Sequence, residues 1–221
     1  MFRYDYPHPA VTVDIVVFTI RDARLAALFV KRKEDPHKGS WALPGGFVRI
    51  DESLDRAAER ELREETGVEG VYLEQLYTFG EPDRDPRERV ITVAYYALIP
   101  SDRLTLRAAS DAEDARWFAM AELPALAFDH AQIVGAAYER LRAKLDYSTI
   151  ALQFLPRSFT LAELQAVYET ILAEPLDKRN FRKRILALGV LKETGKMQRD
   201  GAHRPAKLYR LTTPRRVAII K

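Results

Sequence analysis

Three glutamates fall on one side of a single predicted helix. Residues three and four apart share a helical face, so Glu61, Glu64 and Glu65 lie within roughly 100° of one another. Apolar residues lie on or beside the same arc, and they are Leu54, Ala57, Ala58 and Leu62. The apolar side of an amphipathic helix packs against the protein, where unpaired carboxylates are costly. A hard divalent cation bound through oxygen atoms would resolve that conflict, so the pattern predicts a metal site on this helix.

The residues that flank this helix define its ends and bring bare backbone close to it. Asp51 and Ser53 are both suitable N-caps, and Gly67 suits the C-terminal end. Residues 43–46 form a tight bend of sequence LPGG, whose backbone can approach a ligand, and the Gly45 carbonyl could serve a cation. The alternative is an ordinary solvent-exposed helix rich in Glu and Arg. The inward carboxylates and the order of residue types count against that alternative.

The order of residue types from Gly46 to Val68 resembles the Nudix box of hydrolases that act on nucleoside diphosphates linked to another group. The matching positions are Gly46, Glu52, Arg60, Glu61, Leu62, Glu64, Glu65, Gly67 and Val68. The resemblance implies that Glu61, Glu64 and Glu65 bind Mg²⁺ or Mn²⁺ with help from Gly45, and that Gly46 adjoins the substrate. One of these carboxylates, or a glutamate outside the box, would act as general base. Glu52 and Arg60 belong to the catalytic set as an ion pair that ties the loop to the helix.

Composition limits the classes of protein that the chain can represent. Its 221 residues contain no cysteine, which excludes disulfides, thiolate metal sites and thiol nucleophiles. The sequence shows neither a signal peptide nor an apolar run long enough to cross a membrane, so we expect a cytoplasmic protein. Charge is unevenly distributed, with a net −6 over residues 1–150 and a net +9 over residues 151–221. This asymmetry favours a metal-dependent site in the first part and a polyanionic partner for the second.

The first part of the chain alternates between strand and helix patterns. Predicted strands span 10–20, 25–32, 71–79, 90–99 and 115–119, and a further helix spans 130–145. Residues 10–20 alternate apolar and polar types, which is typical of a half-buried strand. The pattern predicts an α/β sandwich, and the Nudix resemblance, which extends over residues 8–146, implies a mixed sheet between helices.

Several residues outside the box are candidates for binding a substrate. Arg32 is the middle residue of a basic trio at 31–33, which is either a solvated strand end or the source of a contact to a substrate phosphate. Trp41 is either a core residue or a platform for a base. Residues 77–87 and 123–130 resemble the ADP-ribose-type branch of the family, which implies substrate contacts from Phe79, Arg84 and Arg87. We expect His130 to be a cap or packing residue outside the active site.

The last part of the chain has the pattern of a winged helix-turn-helix. After a connector at 147–156, helices are predicted at 161–174 and 178–188, capped by Thr160 and Asp177, and strands at 190–193 and 207–211. Arg and Asn suit base edges in the major groove, and cations on the wing suit phosphates. The candidate DNA contacts are Lys178, Arg179, Asn180, Arg182, Lys183, Arg204 and Lys207. The alternative is a basic, solvated face on a small packing domain.

Taken whole, the chain resembles the Nudix-related transcriptional regulators of NAD metabolism. This implies a Nudix domain at 1–146, a connector at 147–156 and a DNA-binding domain at 157–221. It also implies an ADP-ribose-like ligand, operator DNA and a homodimer. Many members of that group have an eroded box and only sense the ligand, whereas this sequence keeps every box residue. We therefore favour an active ADP-ribose-type hydrolase that also binds DNA, over a silent ligand-sensing repressor or a plain house-cleaning hydrolase.

Overall fold

The computed structural model describes residues 5–100, 115–199, 205–212 and 217–219. Arg204, a predicted DNA contact, lies outside the described residues. Contacts divide the chain into two units. The first consists of Met1–Phe18, Ala26–Leu98 and Thr105–Glu139, and the second of Thr19–Leu25, Ile99–Leu104 and Arg140–Lys221.

A seven-stranded sheet provides the framework for the glutamate helix. Its strands are β1 (Ala10–Arg21), β2 (Arg24–Lys31), β3 (Trp41–Ala42), β4 (Gly45–Phe47), β5 (Tyr72–Phe79), β6 (Val90–Ile99) and β7 (Ala115–Ala119). The order is β3-β2-β1-β6-β5, with β4 paired to β1 and β7 paired to β2. The predicted α/β architecture is confirmed, with two short strands, β3 and β4, that the sequence pattern does not reveal.

The first strand is more deeply buried than its alternation predicts. Every residue from Thr12 to Thr19 is buried, so the prediction of a half-buried strand is wrong. β1 lies inside the sheet and both of its faces are withdrawn from water, as is typical of a central strand. Asp14 therefore places a carboxylate in the interior, where it requires a partner.

Helix α1 (Leu54–Thr66) begins and ends where the sequence predicts. The Ser53 side chain accepts a hydrogen bond from the Arg56 N–H, and Gly67, with φ of 70°, donates to the Arg63 carbonyl. Of the three glutamates predicted to face inward, only Glu61 is buried. Glu64 lies at the margin of the apolar stripe, and Glu65 lies in the last turn. The side chains of Glu64 and Glu65 are exposed to solvent.

Helix α2 (His130–Tyr147) is followed by packed residues rather than by an open linker. A 3₁₀ helix spans Ile150–Phe154 within the predicted connector, and most of its side chains are buried. Thr149 and Ala218 exchange two hydrogen bonds, from the Thr149 N–H to the Ala218 carbonyl at 3.0 Å and from the Ala218 N–H to Thr149 Oγ1 at 2.9 Å. The domain boundaries at 1–146, 147–156 and 157–221 stay a prediction.

The second unit contains the predicted pair of helices and a small sheet. Its elements are β8 (Phe159–Thr160), α3 (Leu161–Leu172), α4 (Lys178–Ala187), β9 (Leu191–Gln198) and β10 (Ala206–Leu211). Thr160 and Glu163 form a reciprocal capping box at the start of α3, and Asp177 caps α4. Tyr168 packs edge-on against Phe181, with ring centroids 5.2 Å apart, which joins the two helices.

The strands of this unit pair antiparallel in the order β8-β10-β9. β9 continues to Gln198, five residues beyond its predicted end at 193, and includes Gly195, whose φ of 75° suits a glycine. Helix, turn, helix and hairpin together form a winged helix, as predicted. No helix among the described residues combines the length and the apolarity that a bilayer span requires.

Candidate functional site

Arg60 lies at the centre of the ionic contacts around α1. Its Nη2 and Nε atoms donate to the two carboxylate oxygens of Glu52 at 2.6 and 3.0 Å. Its Nη1 atom donates to Glu61 at 2.6 Å and to Glu64 at 3.2 Å. The hydrogen bonds from Arg60 lower the pKa of Glu52 to about 2, and the bond to Glu52 raises the pKa of Arg60. The arginine thus joins the loop before α1 to two of the box glutamates.

The glycines of the bend leave no room for side chains. A Cβ on Gly46 would overlap the carboxylate of Glu61, and a Cβ on Gly45 would overlap the Val13 carbonyl. Strand β4 pairs with β1, which places Gly46 opposite Val13. The Gly45 N–H donates to Glu65 Oε2 at 2.9 Å. The bend and the carboxylate face of α1 are therefore in direct contact.

The pKa of Glu65 is shifted in the opposite direction to that of Glu52. Its side chain reaches solvent, but partial withdrawal of the carboxylate from water raises the pKa of Glu65 to about 7, and the charges of Glu61 and Asp14 act in the same direction. The hydrogen bond from Gly45 opposes this shift. Several carboxylates with one raised pKa are the arrangement that a bound cation would stabilise.

The donor set suits a hard divalent ion, although the side chains are not gathered around one. Within the described ranges no group of three His, Cys, Asp or Glu side chains converges closely enough to hold a metal. Glu61 and Glu64 are drawn to Arg60, and Glu65 is drawn to the Gly45 N–H. All three offer the carboxylate oxygens that Mg²⁺ and Mn²⁺ prefer. A cation would have to replace some of these contacts.

A buried ion cluster of Arg84, Asp14 and Asp129 lies beside the bend. Arg84 makes a bidentate contact with Asp129, at 2.6 and 2.9 Å, and its Nη2 atom lies 3.4 Å from Asp14. Its side chain is only 4% exposed. Burial opposes the charge, but the hydrogen bonds to Asp129 and the charge of Asp14 raise the pKa of Arg84. The sequence predicts a substrate contact for Arg84, whereas the two carboxylates already occupy its guanidinium.

His130 joins this cluster to the glycine-rich bend. Its Nδ1 atom accepts a hydrogen bond from the Leu43 N–H at 2.9 Å, and its Nε2 atom lies 3.6 Å from Asp14 Oδ1. Burial lowers the pKa of His130, which keeps the ring neutral with its proton on Nε2. Asp14 and His130 are thus buried polar residues beside the site. An aspartate inside an apolar strand is the sequence feature that points to Asp14.

Two of the predicted substrate residues meet around an unpredicted phenylalanine. The guanidinium carbons of Arg32 and Arg87 lie 4.7 and 5.9 Å from the ring centre of Phe128. Burial and the charge of Arg87 lower the pKa of Arg32. Arg87 is also held by Asp85, with Nη2 2.7 Å from Oδ2. Two guanidinium groups, one of them paired with an aspartate, thus lie beside one aromatic ring.

The aromatic candidates lie in packed positions. The half-buried ring of Trp41 makes an edge contact with Phe118, with centroids 5.0 Å apart, as in the core alternative. Phe79 makes an edge contact with Tyr77 on β5, an outer strand of the sheet path. Contact of either ring with a base stays a prediction.

The predicted DNA contacts on α4 all face solvent. Exposed side chains project from Lys178, Arg179, Asn180, Arg182 and Lys183, whereas Phe181 and Ile185 are buried against the unit. On the wing, Lys207 Nζ donates to both carboxylate oxygens of Glu193, at 2.9 and 3.0 Å. This pairing reduces the charge that Lys207 can offer to a phosphate.

Comparisons with known proteins match both parts of the chain. A NUDIX domain model matches residues 8–140, and the model of the NrtR DNA-binding winged helix domain matches residues 151–211. The ADPR responsive transcriptional repressor NtrR of Acinetobacter baylyi is 40% identical over 94% of this chain and 84% of its own. An ADP-ribose pyrophosphatase of Methanocaldococcus jannaschii is 41% identical over 58% of this chain and 73% of its own. The crystal structure of Shewanella oneidensis NrtR complexed with a 27mer DNA superposes with a TM-score of 0.82 at 41% identity, covering 91% of this chain and 93% of that one.

Proposed function

The chain belongs to the NrtR group of Nudix proteins, and from that membership we propose that it is an ADP-ribose-responsive transcriptional regulator of NAD metabolism that also hydrolyses its ligand. The observation that carries the proposal is the coexistence of an intact Nudix box and an exposed basic helix α4 in one chain. The full-length relative is an ADPR responsive repressor, which supports the regulatory role. The pyrophosphatase relative supports the hydrolytic role.

In the hydrolytic role, Glu61, Glu64 and Glu65 would hold Mg²⁺ or Mn²⁺ with the Gly45 carbonyl. The ion would neutralise the diphosphate and activate water. Arg60 donates hydrogen bonds to two of these carboxylates, and the ion would replace part of these contacts. One glutamate, inside or outside the box, accepts the proton of the attacking water.

The substrate would be bound beside the bend by several groups. The guanidinium groups of Arg32 and Arg87 both lie near the ring of Phe128, and together they would hold the diphosphate. Gly46 would let the substrate approach the backbone. Trp41 and Phe79 remain candidates for stacking on the adenine.

The regulatory role requires α4 to enter the major groove of duplex DNA, in a homodimer that binds two half-sites. We expect Arg179→Ala or Asn180→Ala to weaken binding to the preferred sequence by about 1–3 kcal/mol and to relax base preference. Lys207→Ala is the comparison variant. Its ammonium is already paired with Glu193, so its loss should weaken binding slightly and equally for all sequences. Fluorescence anisotropy with a duplex selected from a random pool, and with an unselected duplex, measures both effects.

Equal affinity for selected and unselected duplexes over a range of salt concentrations would count against the regulatory role. In that case the basic face of α4 is a solvated surface, and the protein is a house-cleaning hydrolase.

The test of the whole proposal is a coupling between nucleotide and DNA. We expect saturating ADP-ribose to weaken binding of the selected duplex by about 5–150-fold, and the duplex to weaken ADP-ribose binding by the same factor. The Glu64→Gln protein is used so that the nucleotide persists. Ribose 5-phosphate, which lacks the diphosphate, is the control ligand.

Identical DNA affinities without ligand, with ADP-ribose and with ribose 5-phosphate would show that the two activities are energetically independent. Coupling in the absence of any turnover by the wild-type protein would support the second candidate, a ligand-sensing repressor without hydrolysis.

A further inference from the structure

Two residues at or just before the start of α2, Ala127 and His130, make hydrogen bonds to the bend and to the strand that precedes it. The Ala127 N–H donates to the Trp41 carbonyl at 2.8 Å, and the Leu43 N–H donates to His130 Nδ1 at 2.9 Å. The second bond is between buried groups, since both Leu43 and His130 are withdrawn from solvent. A buried backbone N–H without an acceptor is costly, and the imidazole supplies that acceptor.

Backbone groups of the bend contact two carboxylates of α1. Pro44 has no N–H, so Leu43 and Gly45 supply the backbone donors on either side of it. The Leu43 donor binds His130, and the Gly45 donor binds Glu65. The next residue, Gly46, lies directly against the Glu61 carboxylate. A shift at Leu43 would therefore move the partners of Glu65 and Glu61.

We infer that His130 is a positioning residue for the ligand site. Its Nδ1 atom fixes the Leu43 amide, and through the bend it sets where Gly45 and Gly46 meet the box glutamates. The ring itself has no contact with the reacting groups in this role. The inference rests on the proposed function for its ligand, because the site that His130 positions is the one assigned to ADP-ribose and its cation.

Residues near the Nε2 side of the imidazole also support this role. His130 Nε2 faces Asp14 at 3.6 Å, and Asp14 is in turn within 3.4 Å of Arg84. Arg84 holds Asp129, the residue next to His130 along the chain. The imidazole is thus fixed in orientation by an ion cluster that does not include the box glutamates.

Two variants separate the acceptor from the rest of the side chain. In His130→Asn, the side-chain oxygen is bonded to Cγ, as Nδ1 is, and can accept from Leu43. In His130→Leu, a methyl group occupies that position and accepts nothing. Both lose the nitrogen that faces Asp14, so the difference between them reports the amide group of Asn, whose oxygen is the acceptor.

The first measurement needs no ligand. Amide hydrogen exchange of Leu43, followed by NMR in full-length ¹⁵N-leucine-labelled protein, should be slow in the wild type and in His130→Asn. It should be at least about tenfold faster in His130→Leu, because the buried amide has lost its acceptor.

The second measurement is calorimetric binding of ADP-ribose with Mg²⁺ in the Glu64→Gln background. We expect His130→Leu to weaken binding by about tenfold or more and His130→Asn by less than about threefold. A purely structural role would lower thermal stability in both variants without this rescue.

The outcomes distinguish the two hypotheses. Equal exchange rates and equal affinities in the two variants overturn the inference. If His130→Leu does not fold, loss of Leu43 protection or tenfold weaker binding in His130→Asn overturns it as well. Failure of the parent Glu64→Gln protein to bind ADP-ribose, with the exchange pattern intact, counts against the proposed function but leaves the contact between His130 and Leu43 established.

Discussion

Glu64→Gln is expected to slow the release of AMP from ADP-ribose by about 100- to 10,000-fold in the presence of Mg²⁺. The substitution removes a charge from the carboxylate face of α1 but keeps a side-chain oxygen that can accept from Arg60, now at 3.2 Å. Glu64 is solvent-exposed, so the change leaves no unpaired charge in the interior. The fold should therefore survive, and a chromatographic assay for AMP measures the effect.

The matched control is Glu59→Gln. Glu59 is an exposed glutamate of the same helix that lies outside the fixed box positions, and its replacement should leave turnover within about twofold of the wild type. Equal loss in both variants would point to general destabilisation of α1. A wild-type protein that cleaves no nucleoside diphosphate derivative with Mg²⁺ or Mn²⁺ would refute the hydrolytic role and leave the sensor.

Gly46→Ala is expected to lower kcat/KM for ADP-ribose by about 100-fold, although it adds only a methyl group. The new Cβ would overlap the Glu61 carboxylate, which is buried and is held at 2.6 Å by Arg60. Glu61 cannot move away without straining that contact, so the bend and the carboxylates must separate. Steady-state kinetics and calorimetric ADP-ribose binding measure the result.

Gly135→Ala provides the control for glycine replacement. Gly135 lies within α2, and a Cβ there meets nothing within 4 Å. Alanine favours helix more than glycine does, so this variant should keep full activity and gain about 0.5–1 kcal/mol of stability. Activity of Gly46→Ala equal to that of Gly135→Ala would show that the close approach at Gly46 is dispensable.

Local sequence order predicts the parts of the site that lie close together along the chain. The Glu52–Arg60 pair, the Ser53 cap and the Gly67 terminus all follow from spacings within one helix and its flanks. The same holds for the capping box of α3, where Thr160 and Glu163 are three residues apart. These features can be predicted because helical geometry fixes which residues are neighbours from their spacing along the chain.

Contacts between segments that are far apart in the chain do not follow from local spacing. Arg84 meets Asp129, 45 residues away, and Asp14, 70 residues away, and no periodicity indicates that these three will converge. The side chain of Arg84, predicted to bind substrate, is buried in this cluster, and the guanidinium groups of Arg32 and Arg87 both lie near the ring of Phe128, which the sequence does not single out. Likewise, the pairing of Lys207 with Glu193 depends on the register of β9 and β10. That register shifts at a bulge between Lys207 and Tyr209, which the sequence pattern does not reveal.

The buried cluster of Arg84, Asp14 and Asp129 also limits how this family can diverge. Loss of the arginine alone leaves two carboxylates facing each other in the interior, and loss of either aspartate leaves a buried guanidinium partly unpaired. We therefore expect single changes at these positions to lower the stability of the fold more than joint replacement by apolar residues of similar volume would. Across homologous sequences the three positions should co-vary as one unit, although up to 115 residues separate them in the chain.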